Sequence, residues 1–348
     1  MPSRRSDLRQ KLVELPKVDL HRHLEGSLRL ETMLELVQRE GLDLPNDEAA
    51  LRSIVQVQPH DPHSSANFLA KFTPIRKIFR SPEIIRRVTY EAVSDAAADN
   101  VIHLELHFTP VALAEAGNFP LVEVVDWVIE AAFSAAAQFN IRLGLIAGIN
   151  RHEVVESAEQ VAQIAVDQQE QGLVGLSLAG DETAYPAEPF IPILEAAREA
   201  GLGITVHAGE WAGAESVRQA LEDMEAIRIG HGVRVMEDPE VVNLARDRRA
   251  VFEVCLTSNV QSGVVSNLGD HPLHRMIQAG LQVTLNTDDP TICNTYLTNE
   301  YAVAIEEQKL TLVSIKELIL TAAQAGFLPR SEKAALESEL LTALLPIA

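Results

Sequence analysis

A handful of side chains in this 348-residue chain could do chemistry together, and their spacing indicates which chemistry. His21 and His23 flank Arg22 at the end of the apolar run Val18–Leu20. Alternate residues of a strand share one face, so both imidazoles can grip one ion while Arg22 points the other way. His207 closes a second apolar run, Ile204–Val206, and Glu210 follows three residues later in GITVHAGEW. Asp288 and Asp289 follow a third run, Val283–Leu285. Neutral imidazoles and a carboxylate are good ligands for zinc or a similar divalent ion. Three His and one Asp leave a coordination position open for water, and a neighbouring carboxylate can move protons. Metal-assisted hydrolysis needs that combination. Each residue alone is weak evidence, because a solitary His at a strand end is more often a hydrogen-bonded structural residue. The case depends on whether the four meet.

The elements that must position them recur along the chain. Eight short apolar runs are each followed by a polar strand end and, in most cases, by a segment of helical period. The runs are Val18–Leu20, Val101–Phe108, Leu143–Ile149, Val174–Leu178, Ile204–Val206, Ile227–Ile229, Val251–Leu256 and Val283–Leu285. Helical segments between them include Leu121–Phe139, Ser157–Gln171, Phe190–Ala200, Ala214–Asp223 and Pro239–Arg249. Strand–helix alternation implies a parallel sheet, and eight units imply an α/β fold of the (β/α)8 TIM-barrel type. A doubly wound open sheet is the alternative, but no GxGxxG turn follows the first run. The runs end in His21 and His23, in His107 and Thr109, in Asn150, in Ser177 and then Gly180–Glu182, in His207 and Glu210, in His231, in Thr257–Asn259, and in Asp288 and Asp289. In a barrel all these ends meet at one rim, where active sites sit.

About 80 residues separate the first two runs, far more than an ordinary βα connection. Leu30–Arg39 reads as a helix, a polar Pro-rich loop follows, and Ser65–Phe79 carries an apolar cluster of Phe68, Leu69 and Phe72. Two readings stand: a helix packed on the barrel, or a lid that covers the rim and excludes water. The expected organisation is one domain over residues 1–348, with this insertion at about residues 28–95.

The net charge of −21 argues against nucleic acid as a partner and leaves a small molecule as the expected one. The basic residues between 71 and 87 (Lys71, Arg76, Lys77, Arg80, Arg86 and Arg87) sit at mixed spacing and read as a solvated helical face. No apolar stretch is long enough to span a bilayer, and no apolar segment of signal-peptide type follows the basic N-terminus. Cys255 and Cys293 form neither a disulfide framework nor a CxxC knuckle, which fits the cytoplasm. Oligomeric state leaves no mark in the sequence.

The ordered set VDLHRHLEGSL, GLSLAGDE, TVHAGE, RIGHGV, EVCLTSN and LNTDDP resembles the adenosine deaminases of the amidohydrolase barrels, over about Leu15 to Leu340. The HxE and PCxxC signature of the other zinc nucleoside deaminases is absent. The resemblance implies one Zn2+ per chain held by His21, His23, His207 and Asp288. It implies that Glu210 protonates purine N1 and that His231 orients the metal-activated hydroxide. Asp289 would face that hydroxide and purine N7, and Gly180 would offer its N–H to N3. Phe68 and Phe72 belong to the FLAKF segment of the same resemblance and are expected at the substrate, as is His23. The implied reaction is hydrolytic deamination of adenosine or 2′-deoxyadenosine.

Three positions depart from the family pattern. Glu25 stands where an Asp facing the ribose 5′-hydroxyl is usual, Ser177 replaces an Asp, and His107 replaces an Arg. Glu at position 25 resembles adenine and aminodeoxyfutalosine deaminases, so the same chemistry on adenine or a modified nucleoside is the alternative. A catalytically silent nucleoside-binding barrel is a third reading, against which the retained Glu210 argues.

Overall fold

In the computed structural model, which describes residues 4–347, eight parallel strands form one sheet in sequential order. They are β1 (Lys17–His23), β2 (Val101–Phe108), β3 (Arg142–Asn150), β4 (Leu173–Ala179), β5 (Gly203–Ala208), β6 (Arg228–His231), β7 (Val251–Val254) and β8 (Gln282–Leu285). Their Val-, Ile- and Leu-rich runs suit strands buried on both faces, by helices outside and by packed side chains inside. β8 makes no ladder with β1. The chain just past β8 closes the barrel instead: Asp288 N–H donates to His21 O at 2.8 Å, and His23 N–H donates to Asp288 O at 2.8 Å. The seam of the barrel therefore runs between the two segments that carry three of the four expected metal ligands.

Two of the apolar runs extend outside the strands they mark. The sixth strand begins at Arg228, and Ile227 is 58% exposed. Apolarity placed Ile227 in the strand, but the buried member there is Arg228, whose charge is matched inside the barrel. The seventh strand stops at Val254, because Leu256 already opens the helix Leu256–Gln261.

The insertion after β1 is helical: Leu30–Glu40, Glu48–Val55, Ser65–Ala70, Phe72–Arg76 and Pro82–Ala98. The Ser65–Phe79 segment is two short helices rather than one. Pro74 has no N–H to give the carbonyl four residues back, so the helix breaks at Lys71. Phe68, Ile75, Ile78 and Phe79 are buried against the body. The basic residues of this segment do not share one solvated face. Lys71 is buried, its ammonium donating to Asp61 Oδ2 at 2.7 Å and to Ser53 O at 3.1 Å, because the break at Lys71 turns it inward.

The N-terminal mouth of the barrel is plugged by Phe327, whose ring lies against Gly203 and Gly175. The Arg228 guanidinium stacks on that ring at 3.8 Å. Among the described residues no helix is long and apolar enough to cross a membrane.

Candidate active site at the C-terminal rim

The structure brings His21 and His23 of β1, His207 of β5 and Asp288 past β8 to one point, with one ligand atom from each within 4.8 Å of the others. His21 Nε2 lies 3.2 Å from His23 Nε2, and each lies 3.4 Å from Asp288 Oδ1. Donors held about 2.1 Å from a tetrahedral ion would stand roughly 3.4 Å apart, so the spacing suits an ion of zinc size. His21 Nδ1 is engaged with Glu253 Oε2 at 2.7 Å, which leaves Nε2 as the free lone pair. Ser258 Oγ donates to Asp288 Oδ2 at 2.5 Å and so fixes which carboxylate oxygen faces the imidazoles. Asp288 itself sits at φ 60°, a costly conformation for a non-glycine residue, and it turns the carboxylate inward from the seam.

The electrostatics suit a cation. Burial pushes the His21 imidazole down, yet its bonds to Asp288 and Glu253 outweigh burial and raise it to about 10. Burial and the neighbouring His21 charge lower His23 to about 4, and burial drives His207 well below the usual range. Burial opposes the Asp288 charge, but the surrounding imidazoles hold its carboxyl below the ordinary carboxylate range. The site thus holds one carboxylate, draws one positive charge and keeps its other imidazoles neutral, as a divalent-ion site should.

Around this point lie the expected proton-handling groups. Glu210 and His231 are buried, with Glu210 Oε2 3.6 Å from His231 Nε2. Burial, then the charges of Asp288 and Glu182, push the Glu210 carboxyl well above its usual value, which favours its protonated form. Burial and the Asp288 charge do the same to Asp289, whose Oδ1 is buried without a hydrogen-bond partner. Gly26 lets that carboxylate approach: a Cβ there would stand 1.8 Å from Asp289 Oδ1.

A cleft opens above these groups. Its floor is His23, His207, Glu210, His231, Asp288 and Asp289, and its walls include Gly180, Ser177, Asn150 and Trp211. Gly180 sits at φ +96° on the turn past β4. Phe68, Leu69, Phe72 and Arg76 of the insertion face the cleft, with the two phenyl rings edge to face at 6.5 Å. Glu25 lies at the same end, and its Oε1 accepts from Thr109 N–H at 2.7 Å. His107 lies deeper, beneath the rim, where Nε2 donates to Leu20 O at 3.1 Å and the ring packs 4.8 Å from that of His21.

Several residues that shape the site were given no role in the sequence reading. Glu182 accepts from the N–H groups of Gly209 and Glu210 at 2.9 Å and from Ser216 Oγ at 2.7 Å, which holds the turn carrying Glu210. Glu253, Arg228 and Glu105 form a fully buried charged stack inside the barrel, with Arg228 bridging both carboxylates. Charged residues inside apolar runs were the available signal.

A (β/α)8 barrel with an HxH pair, a third His and an Asp at its C-terminal rim defines the amidohydrolase class of metal-dependent hydrolases. Within that class, the chain belongs to the adenosine deaminase family, whose sequence profile matches residues 16–343. It is 38% identical to the adenosine deaminase of Aliivibrio fischeri over 93% of this chain and 97% of that one. Among solved structures it is similar to an adenine deaminase from Arthrobacter aurescens, at 28% identity and TM-score 0.87 over 94% of this chain and 98% of that one. It is also similar to a zinc-bound amidohydrolase from Burkholderia ambifaria, at 25% identity and TM-score 0.89 over 97% and 93%.

Proposed function

We propose that the chain hydrolyses the exocyclic C6–N bond of adenosine and 2′-deoxyadenosine, releasing ammonia and leaving inosine or 2′-deoxyinosine. The observation that carries this reading is a buried carboxyl, Glu210, on the same floor as the four convergent ligand atoms. When held by His21, His23, His207 and Asp288, Zn2+ supplies a water acidic enough to attack at neutral pH. Attack at C6 breaks the conjugation of the purine, which is affordable only if N1 gains a proton at the same time. Glu210, whose protonated form burial favours, is the group that gives it. His231 lies beside Glu210 and orients the attacking oxygen. Asp289, whose protonated form burial also favours, can donate to the lone pair of purine N7. Gly180 offers its N–H to N3, and Phe68 and Phe72 cover the base and exclude water as the inner face of a lid. In this reading the insertion belongs to one domain with the barrel. Two buried free cysteines fit a cytoplasmic setting.

A second reading keeps the chemistry and changes the sugar end. Glu25 already spends one oxygen on Thr109 N–H, and beside it Arg76 has a buried guanidinium Nε with no hydrogen-bond partner. That end could take a modified nucleoside such as aminodeoxyfutalosine. Relative kcat/KM for adenosine, adenine and aminodeoxyfutalosine separates the readings. No turnover of any of the three by fully metallated protein defeats deamination altogether. Glu210→Gln should keep its zinc and lose roughly 10²–10⁴-fold in kcat, the usual worth of a general acid. Unchanged turnover would remove Glu210 from the reaction.

A further inference from the structure

A line of buried side chains leads from His231 away from the cleft and ends on a backbone amide. His231 Nδ1 lies 3.1 Å from Asn259 Nδ2, and Asn259 Oδ1 lies 3.1 Å from His271 Nε2. His271 Nδ1 in turn accepts from the N–H of Leu273 at 3.1 Å. None of the three side chains belongs to a residue more than 3% exposed, so water does not compete for these bonds.

The direction of every bond in the line follows from its last member. A backbone N–H can only donate, so His271 Nδ1 presents a lone pair. A neutral imidazole carries one proton, which for His271 is then on Nε2 and is donated to Asn259. The amide oxygen of Asn259 must face His271, and its NH2 must face His231. The opposite amide orientation would set two donors against each other in a dry site, at the cost of an unmade buried hydrogen bond. His231 Nδ1 therefore presents a lone pair, and its proton lies on Nε2, the nitrogen that faces Glu210. Burial lowers His271 to about 3, so it is neutral where the enzyme works, and a proton on His231 Nδ1 would face the Asn259 NH2, donor against donor. The backbone of His231 sits at φ 59°, a strained conformation that aims the ring along this line.

We propose that His271 and Asn259 are positioning residues that lock His231 as an Nε2–H donor, so that it gives a hydrogen bond to the oxygen attacking purine C6 rather than receiving that oxygen's proton. This rests on the deaminase reading and adds two residues to it, neither of which touches the cleft. Asn259 reaches His231 from the helix Leu256–Gln261, and His271 reaches Asn259 from the turn before the helix Leu273–Gln278.

Long-range 1H–15N correlation spectra of the zinc-loaded enzyme labelled with 15N-histidine read the tautomer directly, with His231 assigned from His231→Gln. Protonated Nε2 and bare Nδ1 from pH 6 to 9 are expected. A protonated Nδ1 with bare Nε2 in the wild-type enzyme overturns the proposal. Asn259→Asp offers only acceptors and should pull the His231 proton to Nδ1. Its kcat should fall by about 10²–10³-fold, as for loss of one oriented donor, with KM changed less than about threefold and zinc content intact. His271→Gln, which keeps a donor toward Asn259, should recover at least about tenfold over His271→Leu. Wild-type kcat in a folded, zinc-replete Asn259→Asp enzyme also overturns the proposal. Failure of the wild-type enzyme to turn over any 6-aminopurine refutes deamination instead, and the spectrum still decides the tautomer.

Discussion

The buried carboxylate of Glu253 offers a severe test of how the metal site is held. Its Oε2 accepts from His21 Nδ1 at 2.7 Å and from Thr205 Oγ1 at 3.0 Å, while its Oε1 accepts from Arg228. Burial opposes its ionisation, yet Arg228 and the His21 bond hold its carboxyl well below the ordinary range. In Glu253→Gln the oxygen must stay toward Arg228, which can only donate, so the amide NH2 faces His21. His21 Nδ1 can then no longer donate there, and its proton moves to Nε2, the atom that must meet the ion. Loss of such a supporting bond typically weakens metal binding about 10–100-fold, or roughly 1.4–2.7 kcal/mol. Arg228 keeps Glu105 but loses one of two charged partners, which should cost folding about 3 kcal/mol, the low end for breaking a buried pair. Competition with a chromogenic chelator gives the zinc Kd, and unfolding of the metal-free protein gives the stability. Glu105→Gln is the control, because it touches Arg228 without touching His21. It should lower stability and leave zinc affinity alone. Wild-type zinc affinity in Glu253→Gln, or an equal loss in Glu105→Gln, would refute the tautomer argument.

Two further outcomes follow from local geometry. In Gly26→Ala the new Cβ would fall on Asp289 Oδ1 and push that carboxylate off its position. KM for adenosine should rise about 10-fold, the worth of one hydrogen bond, with zinc content unchanged by metal analysis. Burial raises Glu153 from its ordinary 4.5 to about 7, and only Oε1 has a partner, Asn150 Nδ2 at 2.8 Å. The folded state thus keeps a proton that the unfolded chain gives up, so folding loses ground as pH climbs from about 4.5 to 7 and the full penalty stands above that. Glu153→Gln should therefore raise Tm at pH 8 and leave it unchanged at pH 4, with a ceiling of about 3 kcal/mol reduced by whatever water reaches the group. A gain that is the same at both pH values would mean that desolvation of Glu153 is not its source.

Much of the frame is legible in the chain itself. Helix Leu121–Phe139 runs between the very residues its periodicity marks, and seven of the eight apolar runs lie within or across an observed strand from their first residue. The misreadings have local causes. Ile227 is apolar yet exposed, because it lies just outside the strand, which begins at Arg228. Lys71 looks like surface charge yet is buried, because the helix break beside Pro74 is a steric event that charge spacing does not register.

The sequence by itself determined the eight-unit alternation and the polar residue at each strand end, and so the rim where His21, His23, His207 and Asp288 had to meet. It could do so because strand period and barrel topology translate order along the chain into position around a ring. Only the tertiary structure decided which nitrogen of His21 is free, that Glu182 holds the Glu210 turn, and that Asn259 and His271 stand behind His231. Those choices are made by hydrogen bonds between residues from different strands and loops, and directional bonds across the fold leave no period in the chain.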